Sequence, residues 1–489
     1  MAAEGDTGRR QFIKSAAAGA ASVFLGGGFS VCTAPQGGSQ GNKPRRPNLV
    51  YVFADQMRAQ AAAYAGDPNA ITPNLDRFAK EGVSFVNAVS GCPVCSPYRA
   101  SLITGQYPLT HGVFLNDVYL RRSAVSIAEV YKQAGYETAY IGKWHLDGHG
   151  RSSFIPRERR QGFDFWRVLE CTHKYNESYY YADNSVKLKW DGYDAIAQTR
   201  EAQKYLERTA GTNPFVLFLS WGPPHNPYHT APEKYKNRFA NKELVLRRNV
   251  PTQLELKATE NLRGYYAHIA ALDECFGDIV ETIKKCGIEE NTILVFTSDH
   301  GDLLYSHGQR DKQQPFEESI RVPFLLRYPA VLGRKGRKID MPISTPQIMP
   351  TLLGLSGVRI PGTVEGQDFS GILSGAKKAG DNPVLISCPA PFGQWKRKRG
   401  GKEYRGIRTR RYTYVRDLNG PWLLYDNEQD PYQLINLCDN AGHTQLQGKL
   451  EEILSSKLKE TKDEFLPAAH YIRKWGHRVD EDGTVPYTE

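Results

Sequence analysis

Four stretches of this chain are nearly continuous apolar runs that stop abruptly on polar or charged residues. Residues 48–54 run into Asp55, and 137–141 into Gly142-Lys143-Trp144-His145. Residues 214–221 form a third run, and 291–296 lead into Thr297-Ser298-Asp299-His300. A strand with one wet face alternates apolar and polar residues, whereas a strand covered on both faces is apolar throughout. Helical patterns over 72–81, 126–134 and 259–285 supply the cover. The combination predicts an α/β fold with a large, mostly parallel central sheet flanked by helices. The polar residues that end each run then fall at the carboxyl ends of strands, where open α/β sheets bind ligands.

The pattern changes near residue 371. Residues 404–415 and 423–426 suggest short antiparallel strands, followed by the turn Gln429-Asp430-Pro431 and a charged helix near 450–462. The expected organisation is an α/β domain over 47–370 and a smaller C-terminal α+β subdomain over 371–489. Ahead of them, 33–46 reads as a linker. Residues 1–32 read as a signal peptide, because Gly8-Arg9-Arg10-Gln11-Phe12-Ile13-Lys14 resembles a twin-arginine export motif before a mildly apolar Ala/Gly tract. Export to the periplasm or the outside follows from that reading, with no transmembrane segment in the mature protein. Cys32 is a candidate lipid-attachment site, although Phe29-Ser30-Val31 fits a lipobox poorly.

A net charge of +10 points to anionic partners. Nucleic acid is not expected, since no helix-turn-helix, zinc-finger or RNA-binding pattern is present. The eight cysteines are too scattered for a disulfide framework.

One of them stands in an unusual setting, Cys95-Ser-Pro-Tyr-Arg-Ala-Ser-Leu-Ile-Thr-Gly105. Ser96 is expected to cap a helix, with Pro97 in its first turn and Gly105 at its end. Cys95 then lies just before a helix N-terminus that favours an anion, and Arg99, one turn on, reaches back toward it. A lone Cys at a helix cap is more often a structural residue. Pro97, Arg99, Thr104 and Gly105 at these spacings favour an active site instead.

The segment resembles the signature of the type I sulfatases of the alkaline phosphatase superfamily, in which this Cys is oxidised to formylglycine. Further landmarks match in order: Asp55, Thr72-Pro73-Asn74-Leu75-Asp76-Arg77, Gly142-Lys143-Trp144-His145, Pro224-His225-Asn226-Pro227, Ser298-Asp299-His300-Gly301-Asp302, Lys312, Phe316-Glu317, Arg321-Val322-Pro323 and Leu424-Tyr425-Asp426. The resemblance implies that Asp55, Gln56, Asp299 and His300 bind one divalent cation. Many family members carry Asp and Asn where this chain has Gln56 and His300. Oxygen donors suit Ca²⁺, and the added nitrogen also admits Mn²⁺.

The same resemblance implies the chemistry. One hydroxyl of the formylglycine hydrate at position 95 attacks sulfur, while Lys143, Lys312 and Arg99 offset charge on the sulfate oxygens. His225 or Lys312 protonates the leaving alkoxide, and His145 deprotonates the second hydroxyl to expel sulfate. The implied partners are a sulfated carbohydrate and a formylglycine-generating or maturase enzyme. Two alternatives remain beside this reading. One is a phosphonate or phosphate ester hydrolase of the same superfamily, and the other a non-catalytic glycan-binding homologue. For the substrate contacts, 394–399 and 408–411 are basic segments that either wall the pocket or form solvated loops. Tyrosines 175–181 either line a sugar subsite or pack on the surface.

Overall fold

The structure is a computed structural model that describes residues 46–488. The export motif, Cys32 and nearly all of the linker lie outside the described residues. Among the described residues, no helix is long and apolar enough to cross a membrane.

All four apolar runs are strands of one sheet. Its eight strands in chain order are β1 (Asn48–Asp55), β2 (Val83–Phe85), β3 (Glu137–Lys143), β4 (Phe165–Leu169), β5 (Phe215–Pro224), β6 (Thr292–Ser298), β7 (Phe324–Arg327) and β8 (Arg337–Ile339). Across the sheet the order is β8-β2-β7-β6-β1-β5-β3-β4. The strands from β6 to β4 are parallel, and β7 runs antiparallel to both β6 and β2. Strand β7 has only four residues, too few for its apolar run to mark a strand in the sequence.

Alternation along β1 explains its unbroken hydrophobicity. Leu49, Tyr51 and Phe53 enter one core with Tyr98, Leu102 and Leu352. Val50, Val52 and Ala54 enter a second, with Ala202, Tyr265, Ile269 and Phe276. Helices α1 (Pro73–Glu81), α2 (Cys95–Thr104), α3 (Ile127–Gln133), α4 (Asp194–Thr209), α5 (Glu255–Lys285) and α6 (Thr345–Leu355) cover the sheet. Ser126 caps α3 through a capping box with Glu129. Helix α5 begins four residues before the sequence pattern does.

Helix α2 departs from the expectation at its start. Its cap is Val94, and Cys95 is the first helical residue. Ser96 makes no cap: its N–H donates to Asn116 Oδ1 at 3.0 Å, while its hydroxyl has no partner among the described residues. The far end follows the pattern, with Gly105 at φ 68° donating to Ser101.

Beyond the large sheet, β9 (Val384–Cys388), β10 (Tyr404–Arg408), β11 (Tyr412–Asp417) and β12 (Gly420–Asp426) form a four-stranded antiparallel sheet in sequential order. A helix, α7 (Thr444–Glu460), packs on it through Leu450, Leu454 and Leu458. Residues 46–488 form one compact unit.

Candidate active site

Register builds the floor of the site. In the parallel β1–β6 pair Ala54 faces Ser298, so Asp55 and Asp299 leave the sheet side by side. Ser220 on β5 faces Phe53 on one side and Gly142 on the other, which brings Lys143 to the same edge. Gly142 has φ 104°, and a Cβ there would stand 2.0 Å from the Ser220 carbonyl oxygen, so no other residue fits. Helix α2 delivers Cys95 and Arg99 from across this edge.

The resulting group is fully buried and tightly paired. Asp55 Oδ2 accepts Lys143 Nζ at 2.6 Å and Arg99 at 3.1 Å. Asp299 Oδ2 accepts Arg99 at 3.0 Å. The other guanidinium nitrogen donates to Ser220 Oγ at 2.7 Å and the Lys143 carbonyl at 2.8 Å. Arg99 therefore holds the two carboxylates and does not line the cavity, contrary to its expected contact with sulfate. Cys95 Sγ lies 3.1 Å from Lys312 Nζ, 3.3 Å from His300 Nε2 and 3.8 Å from Lys143 Nζ. Burial and Asp55 oppose charge on this sulfur, yet Lys143, Lys312 and His300 hold its pKa well below the ordinary value. Position 95 is built for an anion.

The donor set fits a divalent cation. Ligand atoms of Asp55, Cys95, Asp299 and His300 lie within 4.8 Å of one another. His300 Nδ1 donates to the Gly301 carbonyl at 2.9 Å, which turns Nε2 toward the carboxylates of Asp55 and Asp299, 3.6 Å from each. Gln56 is turned by a φ of 72°. Its amide nitrogen donates to Asp302 at 2.7 Å, so Oε1 is the end that faces Lys312, 3.2 Å away. Tyr228 also donates to Asp302. Asp302 was not among the expected site residues, because its part is to orient the amide.

Two histidines flank the floor in opposite states. His225 Nδ1 donates to the Asn226 carbonyl at 2.8 Å, so Nε2 accepts from Lys312 Nζ at 3.1 Å. Burial, then Lys312 and His173, push its pKa well down, and the ring is neutral. His173 stacks on it at 4.5 Å. His145, at φ 60°, is strained backbone at a functional position. Its Nε2 donates to Asp117 at 3.2 Å, and Asp117 also accepts two bonds from Arg151 at 2.8 Å each. Burial opposes a charge on His145, but Cys171 and Asp117 raise its pKa to about 10. Its Nδ1 has no partner among the described residues and is the atom free to exchange a proton.

A cavity of about 420 Å³ opens above these groups. Cys95, Lys143, His145, His225 and Lys312 line its floor, and Asn116, Arg151, His173, Gln394, Arg399, Thr484 and Tyr487 its rim. Asp117, Arg151 and His173 had no sequence signal, because they sit in irregular loops. The basic segments divide. From 394–399 only Gln394 and Arg399 reach the rim, whereas Arg408, Arg410 and Arg411 pair with Glu317, Asp340 and Asp426 and are structural. Tyr175 lines no sugar subsite: it is buried, its hydroxyl 2.9 Å from the His225 carbonyl.

Comparison with known proteins places this geometry in a family. The sulfatase family model matches residues 47–358, and a model of the N-sulphoglucosamine sulphohydrolase C-terminal region matches 306–460. An ulvan-active sulfatase of Formosa agariphila is 44% identical over 92% of this chain and 88% of its own length. An endo-4-O-sulfatase of Bacteroides thetaiotaomicron is 32% identical over 83% and 90%. A phosphonate monoester hydrolase of Agrobacterium radiobacter superposes with a TM-score of 0.69 over 85% of this chain and 96% of its own, but at 23% identity it shares the fold alone. From these matches and the site's construction, the chain belongs to the sulfatase family.

Proposed function

We propose that this protein is an exported glycan sulfatase that hydrolyses sulfate esters of a sulfated polysaccharide through a formylglycine made from Cys95. The observation that carries the reading is the placement of residue 95 among two lysines and beside the cation-site residues Asp55, Asp299 and His300. A hydrated formylglycine supplies an oxygen nucleophile and a second hydroxyl whose deprotonation expels sulfate, which a thiol cannot do. The names of the Formosa and Bacteroides relatives support a glycan substrate. The net charge of +10 suits a polyanion.

Asp55, Gln56, Asp299 and His300 hold the divalent cation, Ca²⁺ by preference and Mn²⁺ as the alternative. When bound, it draws charge from the sulfate oxygens and favours a deprotonated nucleophile. Lys143 and Lys312 stabilise the charge that spreads over those oxygens in the transition state. Arg99 is a positioning residue for the carboxylates. Lys312 donates its proton toward the neutral His225, so this pair protonates the departing alkoxide. When His145 gives up its extra proton, Asp117 keeps the remaining one on Nε2, so the neutral ring presents Nδ1 to take the proton of the second hydroxyl.

The test joins peptide mass spectrometry across Cys95, after expression with a formylglycine-generating enzyme, to sulfate release from sulfated oligosaccharides. The expected result is conversion of Cys95 together with sulfate release. An unmodified thiol would instead favour a glycan-binding protein. The Asp-Gln and Asp-His pairs favour one further reading, a phosphonate monoester hydrolase. Rates on matched aryl sulfate and phosphonate monoesters separate the two, and faster phosphonate cleavage would overturn the sulfatase reading.

A further inference from the structure

The rim carries a cation that the floor does not use. Within 396–399, three of the four basic side chains have acidic partners. Lys396 pairs with Asp482 at 2.6 Å, Arg397 pairs with Glu403, and Lys398 lies 3.5 Å from Glu481 and 3.7 Å from Asp482. Arg399 is exposed and has no side-chain partner among the described residues, yet it lines the same cavity as Cys95.

The other cations of that cavity are committed. Lys143 faces Asp55, and Arg151 faces Asp117 with Tyr487 stacked on its guanidinium at 3.3 Å. Lys312 is held by Cys95, Gln56 and His225. The loop that carries Arg399 is also held in place. Gly393 N donates to Thr484 Oγ1 at 3.2 Å, and Gly400 N closes the turn on the Arg397 carbonyl at 2.9 Å. The neighbouring ion pairs anchor the loop to 480–484 and leave one planar, five-donor group facing the cavity. Such a group suits bidentate contact with an oxyanion.

We propose that Arg399 binds a second anionic group of the substrate, a carboxylate or a further sulfate, on a sugar next to the one whose sulfate is cleaved. This rests on the glycan sulfatase reading and adds a requirement to it: the preferred substrate carries at least two negative charges on neighbouring units.

The test compares R399A, R399K and wild type on three oligosaccharides of one backbone. The first carries the scissile sulfate and an adjacent uronate, the second is its carboxyl-reduced form, and the third has a second sulfate in place of the uronate. The expected result is that R399A raises KM for a doubly charged substrate about tenfold more than for the carboxyl-reduced one, with kcat little changed. R399K recovers part of the loss, because it keeps the charge but not the fork. K398A, whose side chain is already paired, gives wild-type ratios. The substrate on which the ratio moves identifies the group read, carboxylate or sulfate. Equal KM effects on all three, or none, overturn the assignment of Arg399. Absence of sulfate release by wild type from all three, and from a small aryl sulfate, overturns the glycan sulfatase reading instead.

Discussion

The floor and the rim of the cavity are built on different principles. Floor residues come from the ends of strands in the large sheet, the N-terminus of α2 and, for Lys312, one irregular segment, and they are buried with close polar partners. Rim residues come from loops near 116, 151, 173, 392–399 and 484–487, and several are exposed. In the proposed reading the floor binds what every sulfate ester has in common, and the rim faces what varies, the carbohydrate. Two cysteines three residues apart show how local this distinction is. Both are buried. Burial raises Cys92 to about 12, with Arg405 as its only opposing charge, whereas three cationic groups lower Cys95. The residue type is the same and the electrostatic surroundings decide which one is reactive.

The sharpest break of the comparison is therefore C95A against C92A. C95A should lower kcat for any sulfate ester by at least about 10⁴-fold, as removal of a nucleophile does. C92A should leave the rate and cost about 1 kcal/mol in urea unfolding, because Cys92 only packs in the core. A comparable loss of rate in both variants would erase the distinction.

Next in size is Asp117, which joins rim to floor by bridging Arg151 and His145. D117N should lower kcat by about 10- to 100-fold through loss of the fixed tautomer. It also removes a charge that raises the His145 pKa, so the limb of the pH–rate profile governed by that ring should move to lower pH. An unshifted limb would remove His145 from proton transfer.

The smallest effect lies beneath the floor. Glu318 is buried and accepts Arg247 at 2.7 Å and Asn249 at 2.8 Å, while Ser319 next to it accepts Gly301 N at 2.8 Å behind His300. Burial opposes its charge, but Arg247, His307 and Asn249 hold its pKa at about 2 against an ordinary 4.5. Folding thus keeps it ionised, so its contribution is present above pH 4.5 and is lost as pH falls toward 2. E318Q should cost about 2 kcal/mol at pH 7 and flatten stability between pH 4.5 and 2, measured by denaturant unfolding across that range. An unchanged pH dependence would show that the floor needs no such support.

Much of this site is legible in the order of the amino acids alone. Asp55, Lys143, Asp299 and His300 follow apolar runs, and a covered parallel strand has only its end available for chemistry, so the polar residue there stands out. Cys95 and Arg99 stand out by spacing along one helix. The start of that helix does not, because Val94 caps it without a side-chain bond and Ser96 faces Asn116. Asp117, Arg151 and His173 leave no such mark, and although Asp302 falls in a matching motif and Arg399 in a basic segment, the sequence does not say what either side chain holds. Their loops have no period, and each acquires meaning only from a partner or a cavity formed by distant parts of the chain.

The sequence by itself thus determined the layered α/β fold, the edge of the sheet where chemistry gathers, and the cysteine at its centre, because periodicity and helix spacing are local properties. Tertiary structure alone decided that Arg99 holds carboxylates instead of facing the cavity. It also decided that His225 is neutral while His145 holds a proton, and that of four consecutive basic residues only Arg399 faces the cavity without an acid. Charge state and pairing depend on which distant groups end up within a few ångströms, and only the folded chain brings them there.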